Sequence, residues 1–330
     1  MINSFSKKKS NAILLLIIFS VGFSLGWFLH KTKAVVAPVS IREESSNYKL
    51  IHPFLFLQVA EDETTPQLQS LKKTVTSYVE NTIKQGNASD VSVYFRELET
   101  SRWIGVNADD KYSPASMMKV ASLIAFYRSA QDDPSLLSKE IVLKTDDTKK
   151  DEQEHYVSNH RTQNNETYTS KELLSYMIVD SDNNALQAIN FLTGDKILNK
   201  TYTELRIPIP ANKDEAVEDF FTVKMISRLF RTLYNGTYIS EAFSEKALTL
   251  LTQTNFNEGL VAGVPKGTVV AHKFGERTLN IVNNEVPENN RTVRELQDCG
   301  IVYLKDNPYF VCVMTKGQKF ESFQKTIVDV

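Results

Sequence analysis

The sequence predicts an α+β domain in which an antiparallel sheet is built from both ends of the chain and flanked by helices, with an all-helical subdomain inserted between the two sets of strands. Three observations lead there. Short β-branched and aromatic runs cluster between Asp90 and Val106, similar runs return only after Thr268, and the stretch between them, about 135–255, is dominated by helical periodicity. With 42% hydrophobic and 24% charged residues, the chain has the composition of an ordinary globular protein rather than a disordered one.

The first element is of another kind. Lys7, Lys8 and Lys9 precede an apolar run from Ala12 to Leu29, and His30, Lys31 and Lys33 follow it. As a helix that run spans about 27 Å, close to the thickness of a bilayer's hydrocarbon core. Residues 12–30 are therefore expected to form a transmembrane anchor. The positive-inside bias leaves residues 1–11 in the cytoplasm and everything after the anchor outside it, in a periplasm or at a cell surface. A cleaved signal peptide is the alternative, with a small-residue site at Val35 to Ala37, and would make the domain a secreted one. Residues 31–64 then read as a linker and 65–330 as the folded domain.

Within that domain, apolar residues at Leu68, Leu71, Val75, Tyr78, Val79 and Ile83 predict an amphipathic helix that starts at Pro66 and leaves through Gly86. Asp90 to Arg96 and Arg102 to Val106 read as a hairpin turning at Glu97 to Ser101. Pro114 to Arg128 is expected to be helical. In the inserted block, Thr169 to Glu172 has the form of a capping box, and Thr222 to Leu233 is a periodic helix ending near Gly236. Strands return at Thr268 to Phe274, Gln297 to Leu304 and Tyr309 to Met314, the last two joined by a turn at Lys305 to Pro308. A closing helix is expected over Glu321 to Val330.

Composition also excludes some functions. A formal net charge of −2, with no lysine or arginine stripe beyond the N-terminus, gives no basic field for nucleic acid. The five histidines lack convincing ligand spacing, so no metal and no other cofactor is expected. Cys299 and Cys312 are too few for a disulfide scaffold. They flank the last hairpin turn, where either a cross-strand disulfide or two buried thiols would fit.

Three short strings carry the chemistry. Ser116 and Lys119 stand at i and i+3 and so share a helical face, which places an amine beside a hydroxyl that is a weak nucleophile until a base takes its proton. The string Ser181-Asp182-Asn183 sits at a junction between two helical runs, where it either caps the second helix or projects a hydroxyl and an amide into a cleft. Lys273, Phe274 and Gly275 close a strand with a cation and a residue that permits close approach. Each string is weak alone: Ser4/Lys7, Ser6/Lys9 and Ser70/Lys73 repeat the first spacing. Their joint order carries the weight, with separations of 65 and 92 residues.

In that order, the strings resemble the S-x-x-K, S-D-N and K-T-G motifs of class A β-lactamase-like serine hydrolases and the wider penicillin-binding group. The segments NADDKYSPASMMKV, FTVKMISRLFRTLYNGTYIS and DCGIVYLKDNPYFVCVMTKG are similar to that family as well, and the resemblance extends over roughly Thr65 to Val330. It implies Ser116 as nucleophile, Lys119 as its base, Ser181 as proton relay and Lys273 as a source of positive potential. It further implies Asn183 as a substrate ligand, Gly275 as the point of close approach, and the backbone N–H groups of Ser116 and Glu276 as the oxyanion hole. The implied substrates are β-lactams or peptidoglycan stem peptides, and the implied state is a monomer.

Two departures stand out. Phe274 occupies the place where the family has a threonine or serine hydroxyl for the substrate carboxylate, which leaves Arg277 as a candidate substitute. Arg206 to Asp219 lacks the E-x-x-L-N string whose glutamate activates the deacylating water, so only Glu215 and Glu218 are available there. The sequence therefore predicts acylation of Ser116 and leaves open a β-lactamase, a D,D-peptidase or a sensor that binds without turnover.

Overall fold

The computed structural model describes residues 39–42, 48–58, 65–144, 154–158, 160–208, 219–281, 291–305 and 307–330. The anchor, residues 12–30, and both Glu215 and Glu218 lie outside these residues. Among the described residues no helix is long and apolar enough to cross a membrane.

Two short strands, β1 (Val39–Arg42) and β2 (Phe54–Gln58), pair antiparallel ahead of the domain's first helix. That helix, α1 (Pro66–Lys84), starts where Thr65 accepts a hydrogen bond from the Leu68 N–H and Pro66 fills the first turn. The predicted hairpin follows as β3 (Asp90–Glu97) and β4 (Trp103–Val106). A 3-10 turn at Ala115–Met117 leads into α2 (Met118–Asp132), so the single helix expected over Pro114 to Arg128 is divided after Met117. Nearly every residue of α2 from Lys119 to Tyr127 is buried, as expected of a helix at the centre of a helical block.

The insertion is not wholly helical. A hairpin of three-residue strands, β5 (Glu140–Val142) and β6 (Thr167–Thr169), precedes α3 (Ser170–Ile178). Such short strands leave no periodicity to read. The capping box is present: Thr169 accepts from the Glu172 N–H and the Glu172 carboxylate accepts from the Thr169 N–H. Next come α4 (Asn183–Thr193), α5 (Asp195–Glu204), α6 (Val223–Tyr234), α7 (Glu241–Leu251) and the single turn α8 (Leu260–Gly263). The last three strands are β7 (Val269–Ile281), β8 (Arg291–Tyr303) and β9 (Tyr309–Gly317), and α9 (Phe320–Asp329) closes the chain.

The main sheet is fully antiparallel with strand order β4-β3-β9-β8-β7, so strands from the two ends of the chain meet where β3 pairs with β9. Both β7 and β8 run longer than the sequence predicts, because their outer parts (Glu276 to Ile281 and Arg291 to Arg294) mix polar with apolar residues and are half-buried or exposed. Two apolar clusters cover the sheet. One joins it to α1 and α9 through Val79, Val91, Leu296, Phe323 and Ile327, and the other joins it to the helical block through Met117, Leu123, Phe230, Ile301 and Phe310. Cys299 and Cys312, opposed in register on β8 and β9, form a disulfide, which decides between the two states the sequence left open. Because β7 is an edge strand, its free side faces the helical block. The cleft lies there.

Candidate active site

The loop before the 3-10 turn is clamped to the sheet. The Ser113 N–H donates to Glu295 at 3.0 Å and its carbonyl accepts from Gln297 at 2.5 Å, both from buried positions on β8. Tyr112 exchanges two backbone hydrogen bonds with Phe221. The chain then passes through Ala115 at a φ of 42° to present Ser116, and beside it Ser181 has a φ of 57°. A non-glycine residue in that region costs on the order of 1 kcal/mol and persists only where its surroundings fix it. Here the two strained residues hold the two cleft hydroxyls.

The hydroxyls and two amines form one connected group. Lys119 Nζ donates to Ser116 Oγ at 2.9 Å, to Ser181 Oγ at 3.1 Å and to Asn183 Oδ1 at 2.7 Å, and also to the Ser181 carbonyl. Ser181 Oγ donates to Ser116 Oγ at 3.0 Å, and Lys273 Nζ donates to Ser181 Oγ at 3.0 Å and to the Phe274 carbonyl at 3.0 Å. Lys119 and Lys273 are 1% and 0% exposed. Burial, and next the neighbouring Lys119, pull the Lys273 amine well below its ordinary 10.5, although Asp298, Glu154 and Glu276 oppose this. A chain of amine, hydroxyl, hydroxyl and amine can move a proton off Ser116 with little motion of heavy atoms.

The Ser181-Asp182-Asn183 junction serves both purposes read from the sequence. Asp182 caps α4 by accepting from the Ala185 N–H at 2.9 Å, and it also holds Thr162 through its N–H and hydroxyl. Ser181 and Asn183, on either side of it, face Lys119. Gly275 lies against the serine turn: a Cβ there would stand 3.2 Å from the Ser116 N–H nitrogen and 3.3 Å from the Ala115 Cβ. Any larger residue would push the edge of β7 away from Ser116, so the close approach that glycine permits is to the turn itself.

The opposite wall is where this chain departs from the pattern of the family it resembles. Phe274 is buried and stacks on Phe256 with ring centroids 4.5 Å apart, while Tyr156 meets both rings edge-on. Lys273 Nζ lies 4.2 Å from the Phe274 ring centre. The Glu276 side chain, unforeseen in the sequence, accepts hydrogen bonds from the His155 and Tyr156 N–H groups at 2.9 and 2.8 Å, tying a segment of the insertion to β7. Burial raises the Glu276 pKa above the usual carboxylate value, and the two N–H donors oppose the rise. Glu154, in the same segment, accepts from Asn183 Nδ2 at 3.0 Å and pairs with Arg161. Arg277 lines the cleft, but its guanidinium already binds Asp219 at 2.5 Å and Glu295 at 2.9 Å.

The resulting cleft has a volume of about 280 Å³ and is lined by Ser116, Lys119, Ser181, Asn183, Glu276 and Arg277 among others. All eight site residues predicted from the sequence are therefore in or against one cleft: Lys273 contacts it through Ser181, and Gly275 through the serine turn. Glu154, Tyr156 and Asp180 also line it and were missed. Asp180 directly precedes the Ser181-Asp182-Asn183 string, whereas no motif marks Glu154 or Tyr156.

A model of the beta-lactamase enzyme family matches residues 72–330. The chain belongs to that family. Among solved structures, the fold recurs in PBP-A, at 21% identity and a TM-score of 0.61 over 79% of this chain and 94% of that one. A PBP-A mutant has been captured as an acyl-enzyme complex with penicillin G, at 20% identity, a TM-score of 0.61 and the same coverage. The TLA-1 extended-spectrum beta-lactamase matches at 19% identity and a TM-score of 0.63, over 78% of this chain and 95% of that one. The class A beta-lactamase from Mycobacterium abscessus matches at 18% identity and a TM-score of 0.62, over 77% and 95%. No curated protein matches the chain in sequence. The family and the α+β fold expected from the sequence both stand.

Proposed function

We propose that this protein is a serine acyl-transferring hydrolase acylated at Ser116 by β-lactams, with β-lactam hydrolysis as its leading activity. The observation that carries this reading is the connected group of Lys119, Ser116, Ser181 and Lys273. As Ser116 Oγ attacks the β-lactam carbonyl, its proton passes to Lys119 and, through Ser181, to the departing ring nitrogen, while the acyl group stays on Ser116 as an ester. The N–H groups of Ser116 and Glu276 stabilise the oxyanion, and Asn183 binds the acylamide side chain. The mutant PBP-A acyl-enzyme complex with penicillin G supports the same first step here.

Deacylation decides between two readings of the same apparatus. A D,D-peptidase acting on peptidoglycan stem peptides uses identical acylation chemistry but holds a β-lactam as a long-lived ester. The test is intact mass over time after adding a penicillin. The expected result is a gain of one penicillin that disappears in Ser116→Ala and decays with turnover. A gain that persists assigns the peptidase reading, and no gain overturns acylation and leaves a binding sensor. We further propose that residues 12–30 anchor the protein with this domain outside the cytoplasm, a setting that the Cys299–Cys312 disulfide suits. Protease protection in intact cells would disprove an outward-facing domain.

A further inference from the structure

A second cavity, of about 330 Å³, shares no lining residue with the cleft. Arg228 and Arg231 reach it from the polar face of α6, three residues apart and hence adjacent, and Arg206 joins them from the end of α5 at a φ of 55°. Thr232, Asn235 and Thr237 add uncharged polar groups to the lining.

Among the described residues none of these arginines has a carboxylate partner. The only side-chain hydrogen bond of the three is from Arg228 to the Arg206 carbonyl, at 3.5 Å. The single carboxylate in the lining, Glu204, is already engaged, with one oxygen 2.7 Å from Lys200 Nζ and the other 2.6 Å from the Tyr238 hydroxyl. Arg96 on β3 extends the repulsion: burial first, then Arg96, lower the pKa of Arg231, and burial, then Arg206, lower that of Arg228. Like charges around a cavity, two of them half-buried, oppose folding unless something else is gained by keeping them.

We propose that this cavity is a binding site for a phosphate-type oxyanion, held by the guanidinium forks of Arg206, Arg228 and Arg231. Guanidinium presents paired N–H donors in one plane that match two oxygens of such an anion, and converging arginines reward more than one negative charge. The cavity is roomier than one phosphate requires, which suits a diphosphate or a phosphodiester.

The test uses the full-length chain and compares it only with variants outside the cleft, so that any anion held by the two cleft lysines is common to all of them. Calorimetry with inorganic pyrophosphate at low salt should show binding that weakens as salt rises. Arg228→Ala/Arg231→Ala should lower the affinity by at least about tenfold, and the double lysine variant should lose less because it keeps the charge but not the fork. Acylation of Ser116 should be unchanged in both. In a second arm, wild type and the double alanine variant are sedimented with phosphatidylglycerol or phosphatidylcholine vesicles. A loss of phosphatidylglycerol binding without any pyrophosphate binding would place the same chemistry on a lipid headgroup. Equal affinities of wild type and the double alanine variant in both arms, or no binding in either, would overturn the proposal.

Discussion

The two walls of the cleft are built on different terms. On the Ser116 wall, polar groups are buried and bonded to one another: two lysines share two serine hydroxyls, and the chain around them is strained and pinned. On the Phe274 wall, an aromatic stack and a carboxylate hold a segment of the insertion against β7. The first arrangement preserves what is needed to attack a carbonyl. The second replaces a hydroxyl that would receive a substrate's carboxylate with surface that packs against the protein itself. Attack and recognition are thus separable within one cleft, and substitutions on the two walls should have different signatures.

The largest expected effect is on the first wall. Lys119→Met should slow acylation by about 10²- to 10⁴-fold, the range of a lost general base, as measured by single-turnover reaction with a chromogenic cephalosporin. A loss of under tenfold would remove Lys119 as the base. Phe274→Thr should act in the opposite sense on chemistry. It restores a hydroxyl donor, so acylation by a carboxylate-bearing β-lactam should rise about tenfold, while loss of the aromatic stack lowers unfolding stability by about 3 kcal/mol. No gain in acylation would show that recognition on this wall uses something other than that hydroxyl.

Lys273 joins the two walls, and its titration sharpens the contrast. Its folded pKa lies below 10.5, so its positive charge disappears as pH rises through that depressed value, and the alkaline limb of acylation should fall below pH 10.5. Folding responds as well. The unfolded chain takes up this proton at a higher pH than the folded one, so Lys273 opposes folding increasingly as pH falls from 10.5 towards the folded value. Lys273→Met should therefore lose acylation and, at neutral pH, keep or gain thermal stability. A marked loss of stability would make Lys273 chiefly structural. The smallest effect is expected of Glu276→Ala, which frees two backbone N–H groups at the cleft mouth and should cost about 1–2 kcal/mol with acylation changed severalfold at most.

The first wall was largely legible in the sequence because its residues lie at element junctions with local signatures: Ser116 and Lys119 one turn apart, and Asp182 at the start of a helix. The order of strands and helices was legible for the same reason, from caps such as Thr65 and Thr169 and from the apolar periods of α1 and α6. The second wall was not. Phe274 could be seen to depart from the family's pattern, but its packing on Phe256 and Tyr156 joins residues that only the tertiary fold brings together. The hold of Glu276 on the 155–156 backbone leaves no trace in spacing either. The outer halves of β7 and β8 escaped notice because a half-exposed hairpin need not alternate.

The pairing of β3 with β9 also governs when the site comes into being. Asp90 lies opposite Lys316, so the sheet closes over nearly the whole length of the domain. A chain emerging from its N-terminus presents Ser116 and Lys119 long before Lys273, and longer still before the strand that seats β8 and β7 beside them. Such long-range closure is slow and comes late in folding. Until then the serine is an ordinary hydroxyl, so no partly made copy of this protein can be spent on a substrate.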